Sequence, residues 1–220
     1  GAEKGISNLS KSLGGIGKVG SVALKGTAVA IGAATTAIGG LVVASTKAYA
    51  SYEQLVGGVD TLFKDASGQV QKYAADAYKT AQLSSNQYME QITGFSASLI
   101  QSLDGDTKKA AEYGNRAIID MSDNANKMGT GIEMIQNAYQ GFAKQNYTML
   151  DNLKLGYGGT KEEMQRLLND AEKISGIKYD ISSFADVTQA IHVIQTELGI
   201  TGTTALEASE TIQGSASAMK

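Results

Sequence analysis

The chain has 220 residues, 19 basic and 22 acidic side chains, a formal charge of −3 at pH 7, no cysteine, no proline and one histidine. The missing cysteine excludes a disulfide framework, thiolate catalysis and Cys-ligated zinc, and the lone His192 excludes a His-rich metal site and leaves any histidine-based triad a single candidate base. The slightly acidic balance argues against a dedicated nucleic-acid domain, while average usage would supply roughly eleven prolines, so their absence suits near-continuous helix, whose interior proline breaks.

The chain begins at Gly1 rather than Met and ends in SAMK without a stop signal, which reads as a piece of a longer protein. No secretory signal pattern opens it. Ile6, Leu9, Leu13 and Ile16 follow spacings of three and four, a heptad seam. Leu24, Ile31 and Ile38 continue at intervals of seven, with Ala28, Thr35 and Val42 four residues after each. The stretch GTAVAIGAATTAIGGLVVAST, 26 to 46, has 21 residues and no charge. It is long enough to span a bilayer core at 1.5 Å rise per residue. Its strongly apolar residues supply only ~2–3 kcal/mol toward insertion. Small residues four apart, such as Ala28 and Gly32 or Gly40 and Ala44, permit close helix packing. Residues 1–47 are therefore expected to form an extended, coiled-coil-like arm.

From residue 48 the pattern becomes amphipathic. Tyr52, Leu55, Val59 and Leu62 share a face, with Gly57 and Gly58 weakening that helix. Val70, Tyr73, Ala74, Ala77 and Tyr78 mark the next. SSNQ at 84–87 is a capping box, followed by a face of Ile92, Phe95, Leu99 and Leu103. LDGDT ends that helix and opens another with Asp106 or Thr107 as N-cap, its face carrying Ala110, Ala117, Met121, Ala125 and Met128. Thr130 and Glu133 read as a second capping box before a face of Ile132, Ile135, Tyr139 and Phe142. In GYGGTKEE, 156–163, three glycines precede the Thr160 cap and Glu163 closes a third box. That helix runs to about Ile174 and ends at Gly176, a C′ position. Phe184 to Leu198 is helical and stops at Gly199, and Thr204 with Glu207 opens a last helix. IKYDIS is the one strand candidate, with a short extended turn as its other reading. The expectation is an all-α protein: the arm, then a bundle of roughly seven or eight short helices over 48–220 with a sizeable core.

The motifs that could carry chemistry are weak. GIGKVG, 15–20, matches G-x-G-x-x-G with Gly15, Gly17 and Gly20, but no strand precedes it and no acidic residue follows about 20 positions later. Val19 after Lys18 breaks a phosphate-loop pattern. DGD at 104–106 lacks the glycine and glutamate of a calcium loop, whose places hold Lys109 and Asn115, and reads as a turn. Glu162, Glu163, Asp170 and Glu172 with Lys161, Arg166 and Lys173 read as a solvated, paired helix face rather than a general-acid pair. His192, between Ile191 and Val193, reads as a packed or surface residue. Met121, Met128, Met134, Met149 and Met164 are spaced like core filler. No catalytic, cofactor-binding or metal-ligating residues are expected.

Three stretches carry a family resemblance: YEQLVGGVDTLF (52–63), QNAYQGFAKQNYTMLDNLKLGYGGTKEEMQRLLNDAEKISG (136–176) and TGTTALEASETIQGSASAMK (201–220). They resemble the tail tape measure protein of long-tailed (siphovirus-type) phages and prophages of Gram-positive bacteria. The similarity covers about residues 48 to 220, and the small-residue arm also resembles that family's weakly apolar segment. The resemblance implies a fragment of a largely helical, non-enzymatic virion protein. Such a protein lies in the tail lumen in a few copies, and its length sets tail length as tube subunits polymerise around it. It leaves ahead of the DNA at ejection. The implied partners are copies of itself, tail tube and tail tip proteins and tail assembly chaperones, with the host membrane as a contact during ejection. It would be made in the bacterial host cytoplasm and would bind no nucleic acid by sequence. Some members carry peptidoglycan-cleaving domains, for which this chain offers no zinc-ligand spacing. A membrane-perforating or pore-forming helical protein is the alternative, and an all-α lytic enzyme a third.

Overall fold

The chain divides into two units, Gly1–Lys47 and Ala48–Lys220. The computed structural model describes residues 51–218, and side chains as far as Thr211. The expected arm, the segment 26–46 and GIGKVG lie outside the described residues.

The described residues are all-α, with no strand among them. Helix α1 covers 51–63 and passes through a 3-10 turn, Lys64–Ala66, into α2, Ser67–Ala81. Then come α3, Ser85–Ser102, α4, Thr107–Met128, and α5, Ile132–Phe142. A second 3-10 turn, Leu150–Leu153, leads through a loop to α6, Lys161–Ser175. Helices α7, Phe184–Glu197, and α8, Thr203–Ala218, complete the described unit. IKYDIS is a loop between α6 and α7, a connecting turn rather than a strand. Its Tyr179 hydroxyl donates to Ser175 Oγ at 3.0 Å, and its backbone pairs with no other extended segment.

Helix α4 is the axis of the bundle and touches α2, α3, α5, α7 and α8. Its length and its small residues explain this. Ala110, Ala111, Gly114 and Ala117 are buried, which lets neighbouring helices approach closely. A Cβ on Gly114 would meet Ile92 Cδ1 of α3 at 3.0 Å, so any larger residue there requires the Ile92 side chain to shift. The core is contiguous from Val59 and Phe63 in α1 to Ile191 and Ile194 in α7. Phe95 and Phe184 meet edge-on at 5.8 Å and join α3 to the start of α7.

The helix ends show which sequence signals hold. Ser84 and Gln87 form the full capping box, and Asp106 is the N-cap of α4, accepting from Lys109 N. Thr160 accepts from Glu163 N, but the Glu163 carboxylate reaches the Gly158 N–H at 3.0 Å rather than closing the box on Thr160. The expected Thr130–Glu133 box does not form. Gly131 is the N-cap of α5, and the buried Thr130 hydroxyl donates instead to the Asn152 carbonyl at 3.1 Å. Gly176 ends α6 with φ +73°, as its C′ position requires. Gly159 is held by sterics: a Cβ there would lie 2.2 Å from the Thr148 carbonyl oxygen.

Three expected core positions are exposed. Tyr52 is 40% exposed, Tyr78 64% and Met134 51%. Each sits at the margin of its helix's apolar stripe, where no neighbour covers it. Met121 and Met164 are buried and Met128 and Met149 partly so.

Candidate functional site

The densest polar feature is built on one turn and a half of α4. Asp120, Ser122, Asp123 and Asn124 are all buried in the sequence DMSDN, 120–124. A helix that touches five others turns some polar positions inward, where a partner is needed. Asp120, Asp123 and the Asn124 amide nitrogen have one, whereas Ser122 Oγ and Asn124 Oδ1 have none among the described residues.

Asp120 takes His192. The imidazole Nδ1 stands 2.9 Å from Oδ1 and 3.0 Å from Oδ2, while the carboxylate side chain is 2% exposed and the imidazole 27%. Gln195, one turn further along α7, donates from Nε2 to the Asp120 carbonyl at 3.2 Å. Two side chains of α7 therefore grip one residue of α4. Burial pushes the Asp120 carboxyl above the usual carboxylate range; the His192 hydrogen bond and charge and the Arg116 charge oppose this, and neighbouring Asp123 adds to it. Tyr139 of α5 is fully buried, and its hydroxyl is pushed well above the usual phenol range by burial first and by the Asp120 charge second.

Asp123 takes α8. Its Oδ2 accepts from Gly202 N at 2.6 Å and its Oδ1 from Thr204 N at 2.8 Å. The carboxylate of one helix thus caps the N-terminus of another, where unpaired N–H groups and the helix dipole favour negative charge. The expected Thr204–Glu207 opening is replaced by this cap from α4. Asn124 donates from Nδ2 to the Leu153 carbonyl at 3.0 Å and fixes the second 3-10 turn.

Beside Asp120 and His192 an open cleft of ≈ 450 Å³ is lined by Tyr73, Asn115, Arg116 and Thr201 among others. An imidazole oriented by a buried carboxylate is two-thirds of a nucleophilic triad. The nearby polar groups have other work. Arg116 donates to Gln189 Oε1 at 2.5 Å, Asn115 accepts from the Tyr88 hydroxyl at 2.9 Å, and the Thr201 and Thr196 hydroxyls pair at 3.1 Å. The Tyr73 hydroxyl accepts from Gln69 at 2.7 Å. Among the described residues no cluster of three or more His, Asp and Glu could hold a metal ion. The arrangement can fasten helices together; among the described residues the imidazole ring is hydrogen-bonded to Asp120 and to no hydroxyl.

The other residues singled out from sequence fall elsewhere. Asp104, Gly105 and Asp106 form the turn before α4, with positive φ at Asp104 and Gly105. On α6 the acidic face is paired in part: Glu163 with Arg166 at 2.6 Å, and Asp170 with Lys173 at 2.8 Å and Arg166 at 3.9 Å, whereas Glu162 and Glu172 form no ion pair among the described residues. Arg166 also lies over the Tyr157 ring at 4.3 Å. Asp120 and Asp123 were not legible as functional positions, although DMSDN carries a signal. Asp120 lies three residues after Ala117 and Asn124 three after Met121, which puts polar side chains on a helical stripe that is otherwise apolar.

No protein-family model matches the chain, and neither a curated protein nor a solved structure does.

Proposed function

We propose that the chain is a segment of a tail tape measure protein of a long-tailed phage or prophage. It would act structurally: it would set tail length during assembly and leave the tail at DNA ejection. The observation that carries this reading is the long, idiosyncratic stretch 136–176, which resembles that family in sequence. It spans α5, the Leu150–Leu153 turn and α6. Two features of the bundle support the reading. The described residues are helical without a strand, as a ruler built of helix requires. The buried polar belt of α4 ties α7, α8 and the 3-10 turn to the axis, which suits a structural role.

The test is tail length by electron microscopy in phage carrying in-frame deletions within residues 61–130 of the segment. A helical ruler shortens the tail by ~1.5 Å for each residue removed. Tails of normal length with failed DNA delivery would overturn the ruler and make the segment an ejection module. Among the described residues no helix is long and apolar enough to cross a membrane. Membrane contact during ejection would fall to the uncharged segment 26–46, and liposome partitioning of that segment tests it.

A further inference from the structure

The cleft beside Asp120 and His192 holds more than the contact between α4 and α7. Two columns of α4 side chains line it: Glu112, Arg116 and Asp120 at intervals of four, and Asn115 and Ile119 beside them. Residues four apart stack on one face of a helix. Tyr73 of α2 and His192 of α7 line it from the neighbouring helices. At ≈ 450 Å³ it has the size of a small-molecule site.

Four of these side chains each use one atom on the bundle and keep a donor. Arg116 gives one N–H to Gln189, and among the described residues no carboxylate lies within ion-pair distance of its guanidinium. Asn115 accepts from Tyr88 through Oδ1, which leaves both protons of Nδ2. The Tyr73 hydroxyl accepts from Gln69 and retains its own proton. His192 turns Nδ1 to Asp120, which leaves Nε2. One proton shared by this pair makes Nε2 an N–H wherever that proton rests. A carboxylic acid donates to the Nδ1 of a neutral ring protonated on Nε2, and a carboxylate faces an imidazolium protonated on both nitrogens. Burial of Asp120 favours keeping that proton.

The negative charge nearby is placed where it does not cancel these donors. The Asp120 side chain is 2% exposed, so a molecule in the cleft meets the imidazole rather than the carboxylate. Glu112 is the exposed carboxylate of the lining, one helical turn from Arg116. Converging donors, one of them a guanidinium without a counter-ion, match an anionic head. The half-buried Ile119 beside them matches a small apolar body. We propose that this cleft binds a small organic oxyanion, a carboxylate or a phosphate monoester. Its head accepts from His192 Nε2, Arg116 and Asn115 Nδ2, and its body lies against Ile119. The proposal stands apart from the tape measure reading, because it is read on the purified chain and concerns a ligand rather than tail length.

His192 is the only histidine in the chain, so its ring nitrogens are identified without assignment in a long-range ¹H–¹⁵N correlation spectrum of the full 220-residue protein. Benzoate and phenyl phosphate are the probes at neutral pH, with benzamide as the uncharged counterpart of benzoate. At least one anion should shift Nε2 saturably, with a dissociation constant on the order of 1 mM, and the stronger of the two identifies the head. Benzamide and sodium chloride at equal concentration should leave the signal in place. Arg116→Gln should weaken binding at least about fivefold, and Glu112→Gln should tighten it about twofold, through loss of an attractive and a repulsive charge. Both positions are exposed, and circular dichroism checks that the variants stay folded. No saturable shift with either anion, an equal response to benzamide, an Nε2 without a proton in the bound state, or an affinity unchanged in both variants would each overturn the proposal.

Discussion

His192 and Asp120 show how one pair decides whether a polar core is an asset. A carboxylate that is 2% exposed stays folded only because the imidazole and surrounding groups compensate it. His192→Ala leaves the carboxyl buried without that partner and should destabilise the bundle by about 3 kcal/mol in urea unfolding. Asp120→Asn combined with His192→Ala should cost less than the two single changes summed, because the two side chains share one interaction. The pH dependence has a defined sign. Asp120 is raised, so between the usual carboxylate range and its raised value the folded chain holds a proton the unfolded chain has released. Its contribution to stability is full below the usual range and is lost as pH rises through the raised value. Asp120→Asn should remove that loss, so the stability of wild type relative to the variant falls with rising pH across this window. Arg116, Asp123, His192 and Tyr139 are the titratable neighbours that modulate it. The exposed carboxylates act the other way. Glu163, lowered to about 2 by its Arg166 and Gly158 hydrogen bonds, and Asp170 and Asp180, also lowered, lose their contribution as pH falls. A difference between wild type and the Asn variant isolates Asp120 from that background. Urea midpoints at several pH values check it, and a difference independent of pH would show that the carboxyl does not titrate in this range.

At the scale of elements, the apolar stripes of α3, α4 and α5 were legible because their spacing alone fixes which face turns inward. Ile92 and Leu99, Ala117 and Met121, and Ile135 and Phe142 are buried at such spacings, whereas in α1 Phe63 rather than the expected Leu62 is buried alongside Val59. Local caps were legible where donor and acceptor both lie within three residues, as at Ser84, Asp106 and Thr160. They were misread where tertiary structure supplied the partner. Thr130 turns away from its own helix to the Asn152 carbonyl, and α8 takes its cap from Asp123, about 80 residues earlier in sequence. No local pattern encodes a partner that far away, and this is also why the polar belt was missed. The Asp123 cap makes α8 the element most sensitive to a single side chain. Asp123→Ala removes both acceptors from the Gly202 and Thr204 N–H groups and should cost about 1–2 kcal/mol. The loss should be local. Amide exchange at Thr204 to Ala208 should accelerate by one to two orders of magnitude, while amides of α3 and α4 change little. Uniform acceleration across the bundle would mean that α8 cannot open by itself.

For the whole molecule, one contiguous core carries a length argument. A compact unit of 173 residues, Ala48 to Lys220, has a radius of gyration of about 16 Å, whereas the same residues as one continuous helix extend ~260 Å. A ruler works through contour length, so a folded bundle and an extended segment predict different responses to damage. Phe142 is buried between Tyr139 and Tyr147, with ring centroids 5.7 and 6.1 Å away. Phe142→Asp puts a charge into that core and should unfold the isolated unit, since burying an unpaired carboxylate exceeds the stability of an ordinary domain's margin. If the chain is the tape measure segment proposed above and lies extended in the tail, the same substitution leaves tail length unchanged, while removing the 14 residues of α7 shortens it by ~21 Å. Circular dichroism of the purified chain and tail lengths from the two phage variants answer the question together. A substitution that abolishes the fold and also disrupts tail length would mean that the bundle is counted as a folded body, and the slope of ~1.5 Å per residue would then fail for deletions anywhere within it. A fold lost without effect on length would leave contour as the quantity the assembling tube measures. The buried belt of Asp120, Asp123 and Asn124 would then serve the chain outside the tube, holding the helices together before the tail forms.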